Sequence, residues 1–237
     1  MDGVIHSIQS LGAVDGPGVR CVVFMQGCPL RCICCHNPDT WEISGGTPIS
    51  TDELVKKILR FKNYFGEKGG VTVSGGEPLL QADFVCELFT KLKDCGIHTA
   101  LDTSGFVMNK SVQKLLSVTD LCLLDYKYET DEEYQKYVGT SLLNVERFLG
   151  ELENQKVATW LRRVIIPQKT DGENGIKSLV RTAQKYSCVQ KIELLPFQNF
   201  CKEKYENLKI DFLLKDTKAP SQEIMEKLWA NIPQIYR

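Results

Sequence analysis

The sequence predicts one α/β domain over residues 1–237, built from six strand–helix units with parallel strands and the helices outside. Three observations predict it. Short β-branched runs alternate with helix-period segments from Val19 to Leu195. The residues that suggest chemistry fall at the C-terminal ends of those runs, where parallel α/β folds hold their ligands. No low-complexity stretch, long Pro/Gly linker or repeat divides the chain.

The elements follow in order. Val19–Gln26 reads as a buried strand running into a cysteine loop. Ser50 and Glu53 have capping-box spacing and open a helix to about Phe65, with Leu54, Ile58 and Phe61 on one face. Val71–Ser74 is a strand, and Phe84, Leu88 and Leu92 mark a helix closed by Gly96. Ile97–Asp102 (strand), Lys110–Ser117 (helix) and Leu121–Lys127 (strand) continue the alternation. A short helix near Glu132–Val138 precedes a longer one at Leu142–Gln155. Thr159–Ile166 is a strand ended by Pro167, Ile176–Tyr186 a helix and Lys191–Leu195 the sixth strand. Ser221 caps a last helix carrying Met225 and Leu228.

Charge is balanced, 29 basic against 30 acidic residues, so nothing favours nucleic acid or an anionic membrane as partner. No apolar run of about 18 residues and no signal-peptide pattern is present, and ten cysteines without secretory features point to a reducing cytoplasm.

The chemistry gathers at Gly27-Cys28-Pro29-Leu30-Arg31-Cys32-Ile33-Cys34-Cys35-His36. Cys28, Cys32 and Cys35 stand at C-x3-C-x2-C spacing, close enough for one loop to wrap a metal centre. A structural zinc needs a fourth ligand, and no second C-x2-C pair follows; His36 is awkwardly close. Three thiolates on a 4Fe–4S cluster leave one iron open to a substrate, which is the sharper reading; three inert buried thiols are the bland one. Gly75-Gly76 after the second strand lets backbone approach a ligand, and Glu77 adds an acceptor, although such a pair is also an ordinary tight turn. Asp102 and Asp125 end neighbouring strands, and alternation puts Asp125 and Lys127 on one face, as an ion pair or as an acid and a base in the mouth of the fold. Arg162 and Arg163 are adjacent, so only one of them faces the interior, the other the helices or solvent.

The cysteine triad resembles that of the radical S-adenosylmethionine enzymes. With Val14-Asp15-Gly16-Pro17-Gly18 before it and His36-Asn37-Pro38-Asp39-Thr40-Trp41 after it, the chain resembles the glycyl-radical-enzyme activating family from about Ile5 to Ile232. The resemblance implies a partial (β/α)6 TIM-like barrel, and reductive cleavage of S-adenosylmethionine at a 4Fe–4S cluster on Cys28, Cys32 and Cys35. It implies pyruvate formate-lyase as the protein that receives a glycyl radical, and a flavodoxin- or ferredoxin-like reductant. Gly75, Gly76 and Glu77 would bind the cofactor's amino group. Asp102, Thr103 and Asp125 would hold a monovalent cation, with Lys127 near a carboxylate. Arg162 is then the inward-facing arginine, and Asp15, His36 and Arg162 would contact the partner's glycine loop. Two positions depart from the family: Cys34 stands where an aromatic residue packs on adenine, and Gln198 where a histidine lies near the adenosine. No cysteine lies between Cys35 and Cys86, so a ferredoxin-like insert is not expected, and the chain is expected to act as a monomer. The rival readings are activation of another glycyl radical enzyme and a non-catalytic iron–sulfur redox sensor.

Overall fold

Strand β2 (Arg20–Met25) owes its place to Cys21, Val22, Val23 and Met25, which are all fully buried. The computed structural model, which describes residues 1–237, pairs β2 with strands on both sides. The chain divides into two compact units, Met1–Pro29 with Thr40–Leu123, and Leu30–Asp39 with Leu124–Arg237.

In the first unit the hydrogen-bonded order is β3-β1-β2-β4-β5-β6, with β1 at Asp2–Gly12, β3 at Thr47–Ser50, β4 at Gly70–Gly75, β5 at His98–Thr103 and β6 starting at Leu121. β2, β4 and β5 run parallel, in register from Arg20↔Gly70 to Met25↔Gly75 and from Gly70↔His98 to Val73↔Leu101. β1 is antiparallel to both β2 and β3. Helices α1 (Thr51–Leu59), α2 (Ala82–Asp94) and α3 (Lys110–Ser117) each present an apolar stripe inward, as in Phe84, Val85, Leu88, Phe89 and Leu92 of α2. Burying each such side chain contributes about 1.5–3 kcal/mol before entropy is counted.

The second unit holds the last residues of β6 (Leu121–Asp125), β7 at Ala158–Ile165 beside them, and β8 at Val189–Pro196 parallel to β7. Its helices are α4 (Asp131–Tyr137), α5 (Leu142–Gln155), α6 (Glu173–Lys185), α7 (Lys202–Leu208) and α8 (Gln222–Ala230). Ser221 caps α8 through a bond from the Ile224 amide.

All six expected strands are present, and α3 and α5 have the expected bounds. Four differences have physical reasons. β1 and β3 are additional: β1 is half-exposed along most of its length, so it shows no clean alternation and depends on its neighbours for pairing. α1 ends at Leu59 rather than near Phe65, because the chain passes through a 3-10 turn to Gly66 at φ 58. At its start Ser50 accepts from the Glu53 amide, but Glu53 pairs with Lys57 instead of reaching back. The complete capping box belongs to Thr130 and Glu133 on α4. β6 stops at Asp125, not Lys127, because the Lys127 amide donates to the Tyr134 phenol oxygen at 2.8 Å instead of to a strand. No helix is long and apolar enough to cross a membrane.

Candidate active site

In the first unit, the turn after β4 is pressed against the end of β2. The Gly76 amide donates to Met25 O and the Glu77 amide to Gly27 O, both at 2.9 Å. Gly75 has φ +102, and a Cβ there would lie 2.5 Å from Met25 N; one on Gly76 would lie 2.3 Å from Gly27 O. Both glycines are therefore demanded by space, one of them also by backbone conformation. Gly27 and Cys28 are held from the other side by bonds to Thr40 O (2.8 Å) and Trp41 O (3.3 Å).

Glu77 is buried, and its carboxylate accepts from four groups: Leu79 N at 3.1 Å, Thr103 Oγ1 at 2.6 Å, Ser104 N at 3.0 Å and Ser104 Oγ at 2.5 Å. Burial raises its pKa, against the pull of these bonds. Its side chain thus ties the β4 turn to the loop after β5. At the end of β5 itself, Asp102 accepts from Ser74 Oγ at 2.7 Å.

Asp15 lies elsewhere. Its carbonyl accepts from Thr72 Oγ1 at 2.6 Å, and the fully buried Arg20 bonds Thr72 Oγ1 and the carbonyls of Pro17 and Val71. Arg20 and Gly70 pair at the N-terminal ends of their strands and Met25 and Gly75 at the C-terminal ends. At ~3.3 Å per residue the two ends stand roughly 16 Å apart. The structure does not bring Asp15 to the Gly75–Glu77 turn.

In the second unit, the cysteine loop is tied to the C-terminus of α4: Arg31 N donates to Val138 O at 2.9 Å and Ile33 N to Tyr137 O at 3.0 Å. Cys32 and Cys35 are half-exposed, as Cys28 is, whereas Cys34 is buried, which pushes its thiol up to about 11. As donors, Cys32 and Cys35 are open to a cluster iron and Cys34 is not. No three His, Cys, Asp or Glu side chains form a ready-made metal site, so the fit rests on donor chemistry and on the anchored loop. His36 bonds the Gln198 carbonyl at 2.7 Å beside Phe197, and burial lowers its pKa; α7 adds Tyr205 OH to Cys35 O at 3.1 Å and Lys204 to Asn37 and Asp39.

Lys127 meets Asp125 at 2.5 Å. Burial opposes its charge, but Asp125 and the neighbouring thiols hold the ammonium well above the usual lysine range. Arg162 pairs with Glu193 at 3.6 Å, and Glu193 with Lys191 at 2.7 Å. Arg163 is almost fully buried under α6, and its guanidinium donates to Tyr126 O (3.0 Å), Gly175 O (2.9 Å) and Tyr128 O (3.3 Å). Sequence reasoning missed this clamp on the carbonyls either side of Lys127, as it missed Ser104 and Tyr134. The signal was available: four of the chain's eight tyrosines (Tyr126, Tyr128, Tyr134 and Tyr137) fall within twelve residues of Asp125.

A pyruvate formate-lyase-activating enzyme from Clostridium pasteurianum is 46% identical over 227 residues, covering 95% of either chain. The chain belongs to that family. The pyruvate formate-lyase 1-activating enzyme of Escherichia coli K12 is 41% identical across 95% of this chain and 93% of its own. A family model described as a 4Fe-4S single cluster domain matches residues 14–145. Among solved structures, a radical SAM methyltransferase from Sphaerobacter thermophilus aligns with TM-score 0.60 and 15% identity over 92% of this chain and 66% of its own, a likeness of fold. As a pyruvate formate-lyase-activating enzyme family member the chain has the partial barrel of radical S-adenosylmethionine enzymes, and its cofactors are a 4Fe–4S cluster and S-adenosylmethionine.

Proposed function

We propose that this chain activates pyruvate formate-lyase, with its residues divided between holding the cofactors and holding the partner. The observation that carries this reading is the Gly75–Gly76–Glu77 turn bonded to Gly27, the residue before Cys28. A glycine turn fixed by its own amides next to a cluster ligand offers main chain without side chains in the way, which suits an amino group bound beside the cluster. With both cofactors bound, one electron splits the carbon–sulfur bond of S-adenosylmethionine, and the carbon radical released takes a hydrogen atom from a glycine of pyruvate formate-lyase.

Cys28, Cys32 and Cys35 hold the cluster; Cys34 packs near the adenine, and Gln198 hydrogen-bonds the adenosine. Gly75, Gly76 and Glu77 receive the amino group through their main chain, since the Glu77 carboxylate is engaged with Leu79, Thr103 and Ser104. Asp102, Thr103 and Asp125 hold a monovalent cation. Lys127, kept charged by Asp125, anchors a carboxylate. His36 and Arg162 orient the partner's glycine loop, where a misplacement of about 1 Å costs on the order of a hundredfold. Asp15 joins them only if the 13–19 segment leaves its tether to Thr72.

The chain works as one radical domain without a ferredoxin-like insert, as a cytoplasmic monomer reduced by a flavodoxin or ferredoxin; ten free cysteines support the reducing compartment. The test is anaerobic incubation of reconstituted protein with reduced donor, S-adenosylmethionine and pyruvate formate-lyase, followed by electron paramagnetic resonance. A glycyl radical doublet on the partner is expected. A protein that takes up zinc alone and releases no 5′-deoxyadenosine refutes the reading.

A further inference from the structure

Tyr128 is buried to 2% exposure, and its hydroxyl makes no hydrogen bond. A phenol oxygen is normally kept in a core only where it finds a partner, because an unpaired buried hydroxyl destabilises the fold. Phenylalanine would fill the same space without that penalty, so the hydroxyl calls for a partner.

The surroundings indicate which. The ring packs at 5.2 Å on Tyr137 and edge-on at 6.1 Å to Tyr134. The carbonyl of Tyr137 is the one that accepts from Ile33 in the cysteine loop. Arg163 holds the Tyr128 carbonyl at 3.3 Å, so the main chain is fixed as well. Burial first, then Cys34, raises the phenol pKa well above its usual value, and Cys32 adds to the rise against the pull of Lys127. The phenol therefore stays an O–H donor.

We propose that the Tyr128 hydroxyl donates a hydrogen bond to a sulfur of the cluster and thereby raises its reduction potential. The inference rests on the reading that Cys28, Cys32 and Cys35 are the ligands. Reduction adds negative charge to the cluster sulfurs, and a donor aimed at them favours the reduced form. Tyr128 is thus a tuning residue that eases electron loading without touching the cofactor's scissile bond.

The experiment is a potentiometric titration of the full reconstituted chain and Tyr128→Phe, monitored by electron paramagnetic resonance. At a fixed potential Tyr128→Phe should hold about tenfold less reduced cluster relative to oxidised, a midpoint ~59 mV lower for one electron. Iron content should match wild type, and the metal-free variant should melt no earlier. Site-specific 3-fluorotyrosine at position 128, a stronger donor of similar shape, should move the midpoint upward. Cys34→Ala should leave the effect of Tyr128→Phe in place; its disappearance means that the phenol serves Cys34, and overturns the inference. A loaded wild type whose midpoint is unmoved by Tyr128→Phe overturns this inference alone, whereas a wild type that takes up no 4Fe–4S cluster overturns the ligand set and this inference together.

Discussion

Replacing Glu77 with alanine removes the acceptor for four donors in a buried site. The hydroxyls of Thr103 and Ser104 can rotate to other acceptors, but the amides of Leu79 and Ser104 cannot. Two orphaned amides at about 1–3 kcal/mol each, less the recovered cost of burying a carboxylate, give a net loss of about 2–4 kcal/mol. For a chain of this length that is a fall in melting temperature of roughly 4–16 °C. The assay is thermal and urea unfolding of the metal-free chain, with S-adenosylmethionine affinity measured on reconstituted protein. Both should weaken, because the tie between the β4 turn and the β5 loop is lost. The pH dependence supplies a second check. Burial lifts the Glu77 pKa above the ordinary 4.5, so between 4.5 and the raised value the folded chain holds a proton the unfolded chain has released. Stability should therefore fall as pH rises through that window, and Glu77→Gln should flatten the fall. Glu77→Ala melting within about 1 kcal/mol of wild type would refute the brace.

Cys35→Ala should abolish cluster uptake and Cys34→Ala should retain it, measured as iron and sulfide per chain; the reverse result reassigns the thiol. Arg162→Ala should lower glycyl radical yield on the order of a hundredfold while uncoupled release of 5′-deoxyadenosine continues, whereas loss of cofactor binding would move Arg162 to the cofactor site. Arg163→Met should orphan the buried carbonyls of Tyr126 and Tyr128 and free that of Gly175 from its second partner, cost about 2–4 kcal/mol and speed hydrogen exchange at the Lys127 amide, and unchanged exchange counts against the clamp.

The alternation of β-branched runs with helical stripes made the parallel strands readable, because their residues are buried on both faces and leave continuous apolar runs. β1 was not readable for the opposite reason: Ser7, Gln9 and Ser10 carry no strand signal, and its pairing is decided by β2 and β3. The thiol spacing and the Gly75–Gly76 pair were legible because their chemistry is local. Arg163 was not: one residue from Arg162, it could be assigned only to helices or solvent, and the three carbonyls it holds come from segments 12 to 37 positions away. The engagement of Glu77 with Thr103 and Ser104 was hidden in the same way, across 26 and 27 positions.

The main-chain bonds that hold Gly27 and Cys28 to Thr40 and Trp41, and Arg31 and Ile33 to the end of α4, run between peptide groups and use no thiol. Small zinc domains gain their fold from the metal and are unstructured without it. Here the ordering entropy of the loop, about 1–2 kcal/mol per residue, belongs to folding of the chain rather than to metal insertion. The free energy of cluster assembly then goes into affinity instead of into structuring peptide. Loss of the cluster to oxygen should accordingly leave a folded apoprotein whose loop can accept a new one, so that damage is repaired by reloading rather than by resynthesis.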